Sequence, residues 1–560
     1  LRPRDAVFPS YRLKTFNVGE SISKEINEGR VDFIPANLIE IPYIFAAGAL
    51  GVDIAIIQAS PPDERGFMNF GVAVDVANLV IKMAPVVVAE INPNVPVTNG
   101  ETSFHLNQVN YVVRSEHPLL ERPRKQYDET MSRIGWHVSN LIEDESTVSL
   151  HAGRMFDAIA ANLTGRKGLG VYTHVISDWA IDLVESGAIS LERSRVKGGL
   201  ITTSYCYGTR ELYDYVDRNP IFEFYPIARL INPFVIQRIP RLVSIMNVKK
   251  IDVTGESVIF HSGDNLLSGY ESKLNFAIGA ALSRQGKAIV ALQSVDQDGK
   301  SNIVINFEDN QDRVRATLGT TRYVVTEYGV ANLLGKSIRE RVLAMVEIAH
   351  PNHREDLLKM AKVYGYAYDD QIYETRNAVN YPVELETVKT FKGGLEVRFR
   401  PIKPSDEDMM RRLFYQFSDE SKYFRYFAGV PIMPHKEMQR YVNIDYEETL
   451  SIVGLLRRDR TERIIAEARY SYYPSEDTYE MAFIVDEDFQ GRGLASFMFN
   501  YLLKIAGERG IKRVSANVLP ANEKMLKVFQ KGSVKPVTRF TDGVIELKFN
   551  LQEKSSDLAV

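Results

Sequence analysis

The chain has 560 residues, 45% hydrophobic and 25% charged, with a net charge of −4. That length exceeds a single hydrophobic core and predicts roughly three to four domains, while the near-even charge balance excludes nucleic acid as the main partner. The single cysteine, Cys206, excludes an internal disulfide and points to a reducing, cytoplasmic setting.

No secretory signal opens the chain, and because it starts at Leu1 rather than Met an upstream piece is expected. The run "IPYIFAAGALGVDIAIIQAS" is long enough to span a bilayer, but it contains Gly51 and Asp53 and ends in β-branched residues. It predicts a buried helix followed by a buried strand, with no membrane partner.

From Phe33 to about Asn377 the pattern is α/β. The runs "PVVVAEI", "AIVALQS" and "YVVTEYG" predict buried strands. "SIRERVLAMVEIAH" predicts a helix with Arg339 and Glu340 outward and Val342, Leu343, Val346 and Ile348 inward, ended by Pro351. Residues 377–394 are polar, weakly periodic and close on two glycines, which predicts a linker. Beyond it, residues 395–551 read β-α-β-β-β-α-β-α-β, with Ser405 as N-cap of the first helix.

The stretch "DEDFQGRGLASFMFNYLLKIAGERG" joins the strand "TYEMAFIVD" to a helix. A helix start carries unpaired N–H groups and the positive end of the helix dipole. Gly491 and Gly493 permit close backbone approach, and Arg492 adds a charge, so the loop is a candidate cradle for a phosphate or diphosphate. No metal site is expected. His350 and His353 stand three apart, but Pro351 interrupts them, which predicts solvated loop histidines. Neither G-x-S-x-G nor G-x-x-x-x-G-K-[ST] occurs.

Gln490, Gly493 and Ala495, spaced Q-x-x-G-x-A between strand and helix, resemble the acetyl-CoA pyrophosphate loop of the GNAT N-acetyltransferase superfamily. The run Arg400-Pro401-Ile402, the aromatic cluster Tyr423 to Phe427 and Ile444-Asp445-Tyr446 are similar to the GNAT domain of bacterial protein-lysine acetyltransferases. This resemblance implies an α+β domain with a mixed central sheet, binding acetyl-CoA. It implies that Gln490, Gly491, Arg492, Gly493, Leu494 and Ala495 hold the diphosphate, that Asn522 faces the pantetheine arm, and that Glu480 is the general base. Backbone groups of Ile484 and Val485 are expected to pair with the pantetheine amides as an added strand does. An ammonium must lose a proton before it attacks a thioester, which is the chemical need for a base there. Glu467, on the preceding strand, is the second candidate. The aromatic usual after the last glycine of the pattern is replaced by Ser533.

The words "SPPDERGFMNFG", "AEINPNVPVTNG", "GTRELYDYVDRNP" and "YVVTEYGVANLLGKSIRERVLAMVEIAHPNHRE" resemble the acetyl-CoA hydrolase/CoA-transferase family. The resemblance implies two α/β halves, residues 1–150 and 151–376, with CoA bound between them. The family's reaction uses a glutamate nucleophile; in the corresponding word "GVYTHVISDW" that position is His174. Two further catalytic words also depart, at His151 to Arg154 and at Ser268 to Lys273, where Tyr270, Glu271 and Lys273 put bulky and charged side chains into a glycine-rich word. Three departures confined to catalytic words imply a region that has lost transferase turnover and serves a structural or ligand-sensing role.

The combined reading is an acetyltransferase that uses acetyl-CoA and no metal. Its acceptor is a protein lysine or a small amine, carboxylic acids are further possible ligands of the first region, and a homo-oligomer is expected. Two alternatives stand beside it: hydrolase or CoA-transferase activity in the first region, with His174 as base for water, and an acyl-CoA-sensing binding protein.

Overall fold

A computed structural model describes residues 12–16, 22–189, 201–258, 273–307, 319–372, 381–427, 432–458, 461–474, 477–541 and 543–551. They form two compact units, Leu1–His350 and Pro351–Val560. No described helix is long and apolar enough to cross a membrane.

The first unit is built on a nine-stranded sheet whose central strands include Leu242–Asn247 and Lys287–Ala291. Their side chains are buried almost throughout, as expected for parallel strands covered on both faces. Neighbours pair parallel except for the terminal hairpin Tyr323–Thr326 with Gly329–Asn332. A separate parallel sheet joins Ile54–Ala59, Val86–Ile91 and Tyr111–Arg114.

Here two expectations change. The apolar run does form a helix, Ile41–Ala46, and a strand, Ile54–Ala59, but the strand alternates and leaves Ile56 77% exposed. Pro351 ends the helix Ile338–Ile348 only by opening the next, Pro351–Val363. Proline is favoured in a first turn, where no N–H partner is needed. His353 is therefore helical and half-buried, and His350 packs edge-on against Tyr328.

The second unit carries an eight-stranded sheet. Its strands are β1 (Thr387–Phe391), β2 (Leu395–Pro401), β3 (Thr449–Arg458), β4 (Thr461–Tyr473), β5 (Thr478–Val485), β6 (Arg513–Val518), β7 (Val537–Thr541) and β8 (Val544–Asn550). Spatial order is β1-β2-β3-β4-β5-β6-β8-β7. Helices α1 (Glu407–Gln416), α2 (Asp419–Tyr426) and α3 (His435–Val442) fall between β2 and β3; α4 (Leu494–Glu508) follows β5, and α5 (Glu523–Gln530) follows β6.

Part of the stretch read as linker is thus a strand. β1 pairs antiparallel with β2. Its polar composition suits an edge with three of its five side chains in solvent. Residues 377–380 of the proposed linker lie outside the described residues. Phe391 of β1 packs against Phe399 and Phe497, so this edge supports the first turn of α4.

The core is aromatic where the usual aromatic after Gly532 is missing. Phe483, Phe499, Phe529 and Phe549 meet edge-to-face or tilted, with centroids 4.9–5.9 Å apart. Gly532 lies so close that a Cβ there would stand 2.3 Å from the Phe499 ring. Ser533 donates its N–H to Asn500 Oδ1 instead of contributing a ring.

Ser405 does not cap α1. It sits in a 3₁₀ turn, Pro404–Asp406, and the helix starts at Glu407. The reason is Asp406, whose carboxylate is held by both Arg400 nitrogens at 2.7 Å and by the Lys403 N–H at 2.8 Å. Burial alone would raise the Asp406 pKa, but the Arg400 guanidinium outweighs it and the net shift is downward. Removing one member of a buried pair strands the other charge. Asp406→Asn should therefore cost about 3–5 kcal/mol, seen as a lower-melting transition of the full-length chain.

Candidate functional site

Strands β4 and β5 pair along eight residues, and β6 and β8 along six. Between β5 and β6 the parallel ladder has only two rungs, Tyr479↔Val514 and Glu480↔Ser515. Past Glu480 the two half-sheets part, so Met481–Val485 have no β6 partner among the described residues. The opening is a cleft of about 1580 Å³. That exceeds the roughly 300–1,000 Å³ typical of drug-sized ligands and leaves room for a long cofactor and an acceptor.

One wall and floor come from Glu480 to Val485, Gln490, Gly491 and Gly493 to Ser496. Asp486 caps a 3₁₀ turn, Glu487–Phe489, and the chain then runs through Gly491 at φ +73° and Gly493 at φ +100°. Both angles favour glycine. Gly493 is the N-cap of α4, and no side chain caps that helix, so its first-turn amides face the cleft end without an internal acceptor. No acidic residue occupies the first turn.

Arg492 does not line the cleft. It lies back over Phe489, 5.5 Å from ring centre, and its guanidinium reaches the Asp488 carbonyl at 3.5 Å. Lysines supply positive charge instead: Lys524 and Lys527 of α5, and Lys531 just after it, line the opposite wall. Gln490 bridges the two sides, donating to the Val485 carbonyl at 3.2 Å and accepting from Lys524 Nζ at 3.5 Å. Asn522 lines the cleft while its Oδ1 caps α5 by accepting from the Met525 N–H.

Glu480 stands where the strands diverge, and Oε1 accepts a hydrogen bond from Asn517 Nδ2 at 3.0 Å. The nearby Glu480 carboxylate, together with partial burial, pushes the Tyr473 hydroxyl above its usual pKa. Phe424, Tyr426 and Phe427, from the sequence's aromatic cluster, line the same cleft with Arg425 and Tyr441.

Glu467, the second candidate base, is elsewhere. It is 1% exposed, accepts from Ser451 Oγ at 2.8 Å and Arg469 Nε at 2.5 Å, and lies 3.6 Å from Arg425. Burial alone would raise its pKa, but Arg469 and then Arg425 outweigh that, and the carboxyl is held below its usual value. It anchors α2 to the sheet.

In the first unit, His174 sits between the short strands Gly170–Tyr172 and Val175–Ile176. Its Nε2 is 3.2 Å from Asp75 Oδ1, which also accepts from Ser204 Oγ at 3.0 Å. Asp75 holds a positive φ of 28°. His151 is fully buried; desolvation, and then the charges of Lys273 and His174, hold its pKa well below the ordinary value. Lys273 opens the helix Lys273–Leu282. Ser268 to Ser272, including Glu271, lie outside the described residues. Among the described residues no group of three or more His, Cys, Asp or Glu is placed to hold a metal.

Asn517, Tyr473 and the three lysines were not singled out by sequence. The lysines recur at helical spacing at Lys524, Lys527 and Lys531, along α5 and at its C-terminal end, a legible signal. Asn517 had none, because its place beside Glu480 depends on the register of two strands joined by a long crossover.

The stability of the Glu467 cluster is testable through pH. A depressed folded pKa gives a contribution that is complete above the ordinary glutamate value of about 4.3 and lost as pH falls through the lower, folded value. Glu467→Gln should cost about 3–5 kcal/mol at neutral pH, measured by thermal unfolding, and the gap to wild type should close as the solution is acidified.

Residues 3–121 match the acetyl-CoA hydrolase/transferase N-terminal domain, residues 208–361 its C-terminal domain, and residues 414–533 the acetyltransferase (GNAT) family. A 4-hydroxybutyrate coenzyme A transferase of Clostridium kluyveri is 36% identical over 352 residues, covering 63% of this chain and 82% of that protein. An acetyltransferase of Pseudomonas aeruginosa is 24% identical over 138 residues, covering 25% of this chain and 74% of the other. The crystal structure of a 4-hydroxybutyrate CoA-transferase from Porphyromonas gingivalis superposes with a TM-score of 0.53 at 30% identity, covering 62% of this chain and 84% of that one. The chain belongs to the acetyl-CoA hydrolase/transferase family and carries, C-terminal to that region, an acetyltransferase domain of the GNAT family.

Proposed function

We propose that the protein transfers an acetyl group from acetyl-CoA to an amine, and that the amine is a protein lysine. The observation carrying this reading is Glu480, braced at the point where β5 and β6 part, in a cleft that also contains the start of α4. A diphosphate resting on the first-turn amides of α4, near Gln490 to Ala495, would meet unpaired N–H donors, the positive dipole end and the lysines of α5. A pantetheine arm laid along Ile484 and Val485 toward Asn522 would bring the thioester to Glu480. There the carboxylate takes the proton of the attacking amine, the new C–N bond forms, the C–S bond breaks, and the thiolate leaves as CoA.

Direct attack in a ternary complex fits the residues present. The chain's only cysteine, Cys206, is buried in the other unit, and desolvation raises its thiol well above the ordinary pKa. The protein lysine as acceptor is supported by the similarity of residues 400–446 to lysine acetyltransferases and by the cleft's aromatic rim of Phe424 and Phe427.

For the first unit we infer a regulatory, acyl-CoA-sensing role within a homo-oligomeric, cytoplasmic enzyme. His174 is tied to Asp75 and has no carboxylate with which to form an acyl anhydride. The rival reading, thioester hydrolysis with His174 as base, draws on that same Asp75 pair, which orients an imidazole as a general base requires.

Glu480→Gln should lower kcat for amine acetylation by about 10²–10⁴-fold near neutral pH and leave acetyl-CoA affinity unchanged by calorimetry; undiminished turnover removes Glu480 from the base role. Gly493→Val, which forces a β-branched residue into a left-handed angle, should weaken acetyl-CoA binding about 10-fold or more. Labelled acetyl-CoA incubated with a protein lysate should leave label on lysines. Release of CoA without any amine, abolished by His174→Ala and retained in Glu480→Gln, would favour the hydrolase instead.

A further inference from the structure

Glu480 lies between two polar side chains that come from different strands. Asn517 of β6 donates its amide N–H to Oε1 at 3.0 Å. Tyr473 is the last residue of β4, in register with Thr478, which places it two residues along from Glu480 on the same face of the sheet. All three line the cleft. The β5–β6 ladder stops at Glu480↔Ser515, two residues short of Asn517, so the Asn517 side chain crosses a gap that backbone hydrogen bonds no longer span.

We propose that Asn517 and Tyr473 are positioning residues that fix the Glu480 carboxylate for proton transfer, a role that rests on the acetyltransferase reading above. A glutamate has three rotatable side-chain bonds, and on a strand edge facing a wide cleft it would sample many orientations. The Asn517 donor on one side and the Tyr473 phenol brought alongside from the β4 side would select one. A carboxylate offers about four lone-pair directions, so two donors leave capacity for the amine proton. Proton transfer demands a heavy-atom separation near 2.6–3.2 Å, and the brace keeps the base in reach. The Asn517 contact also ties β6 to β5 beyond the last rung of the ladder, so any change of the β5–β6 opening is felt by the base.

The test uses the full-length chain with acetyl-CoA and poly-L-lysine as acceptor. Asn517→Ala and Tyr473→Phe should each lower kcat about 10-fold, with KM for acetyl-CoA and the melting temperature unchanged. Asn517→Asp is isosteric but removes the donor and sets a like charge against Glu480, so its kcat should fall further than that of Asn517→Ala. In a Glu480→Gln background, Asn517→Ala should cost little more, because the group it acts through is already gone. Variants with wild-type kcat, or losses that add to that of Glu480→Gln, overturn the positioning role while leaving the acetyltransferase reading standing. A wild-type protein that leaves poly-L-lysine unacetylated overturns both.

Discussion

The site depends on a ladder that ends early. Two rungs join β5 to β6, and beyond Glu480 each strand stays with its own half of the sheet. A continuous sheet would have buried these edges against one another. The parting instead exposes backbone donors and acceptors along Met481–Val485, which a ligand can pair with. Around this opening lie the proposed base, Glu480, at its apex, the start of α4 on one side and the lysines of α5 and its C-terminal end on the other.

An opening in a sheet must be held, and the surroundings are correspondingly stiff. Phe483, Phe499, Phe529 and Phe549 fill the space beneath, and Gly532 lets the chain pass against the Phe499 ring. Beside the cleft, Glu467 binds Arg425 and Arg469, while Glu487 of the β5–α4 loop accepts from Ser418 and Ser421 at the start of α2. The loop that would receive the diphosphate and the helix that would meet the acceptor therefore share one hydrogen-bonded junction. The deeply buried Arg400 and Asp406, and Glu467 with Arg425 and Arg469, are paired, as the energetics of low-dielectric surroundings require.

Much of this was legible in sequence, and what was not has physical causes. Strand–loop–helix order around Gly491 and Gly493 followed from apolar periodicity and from two residues suited to positive φ. Val86–Ile91 and Lys287–Ala291 were visible as apolar runs. β1 was not, because an edge strand with mostly exposed side chains resembles a polar linker. Ser405 misled because helix signals at Ser405 and Asp406 are equivalent on paper, while only the fold brings Arg400 beside Asp406. Ile54 and Ile56 looked buried because composition cannot say which face of a strand is covered. Asn517 was invisible for a related reason: its partner is 37 residues away and is set by crossover register.

The two units pose a question of division of labour, since both belong to families that handle CoA thioesters. The most direct measurement is a crystal structure of the full chain with coenzyme A. The account predicts a diphosphate against the amides of Leu494 and Ala495, pantetheine along Ile484 and Val485, and the thiol within reach of Glu480. Coenzyme A bound beside His174 alone, with the cleft between β5 and β6 vacant, would contradict it.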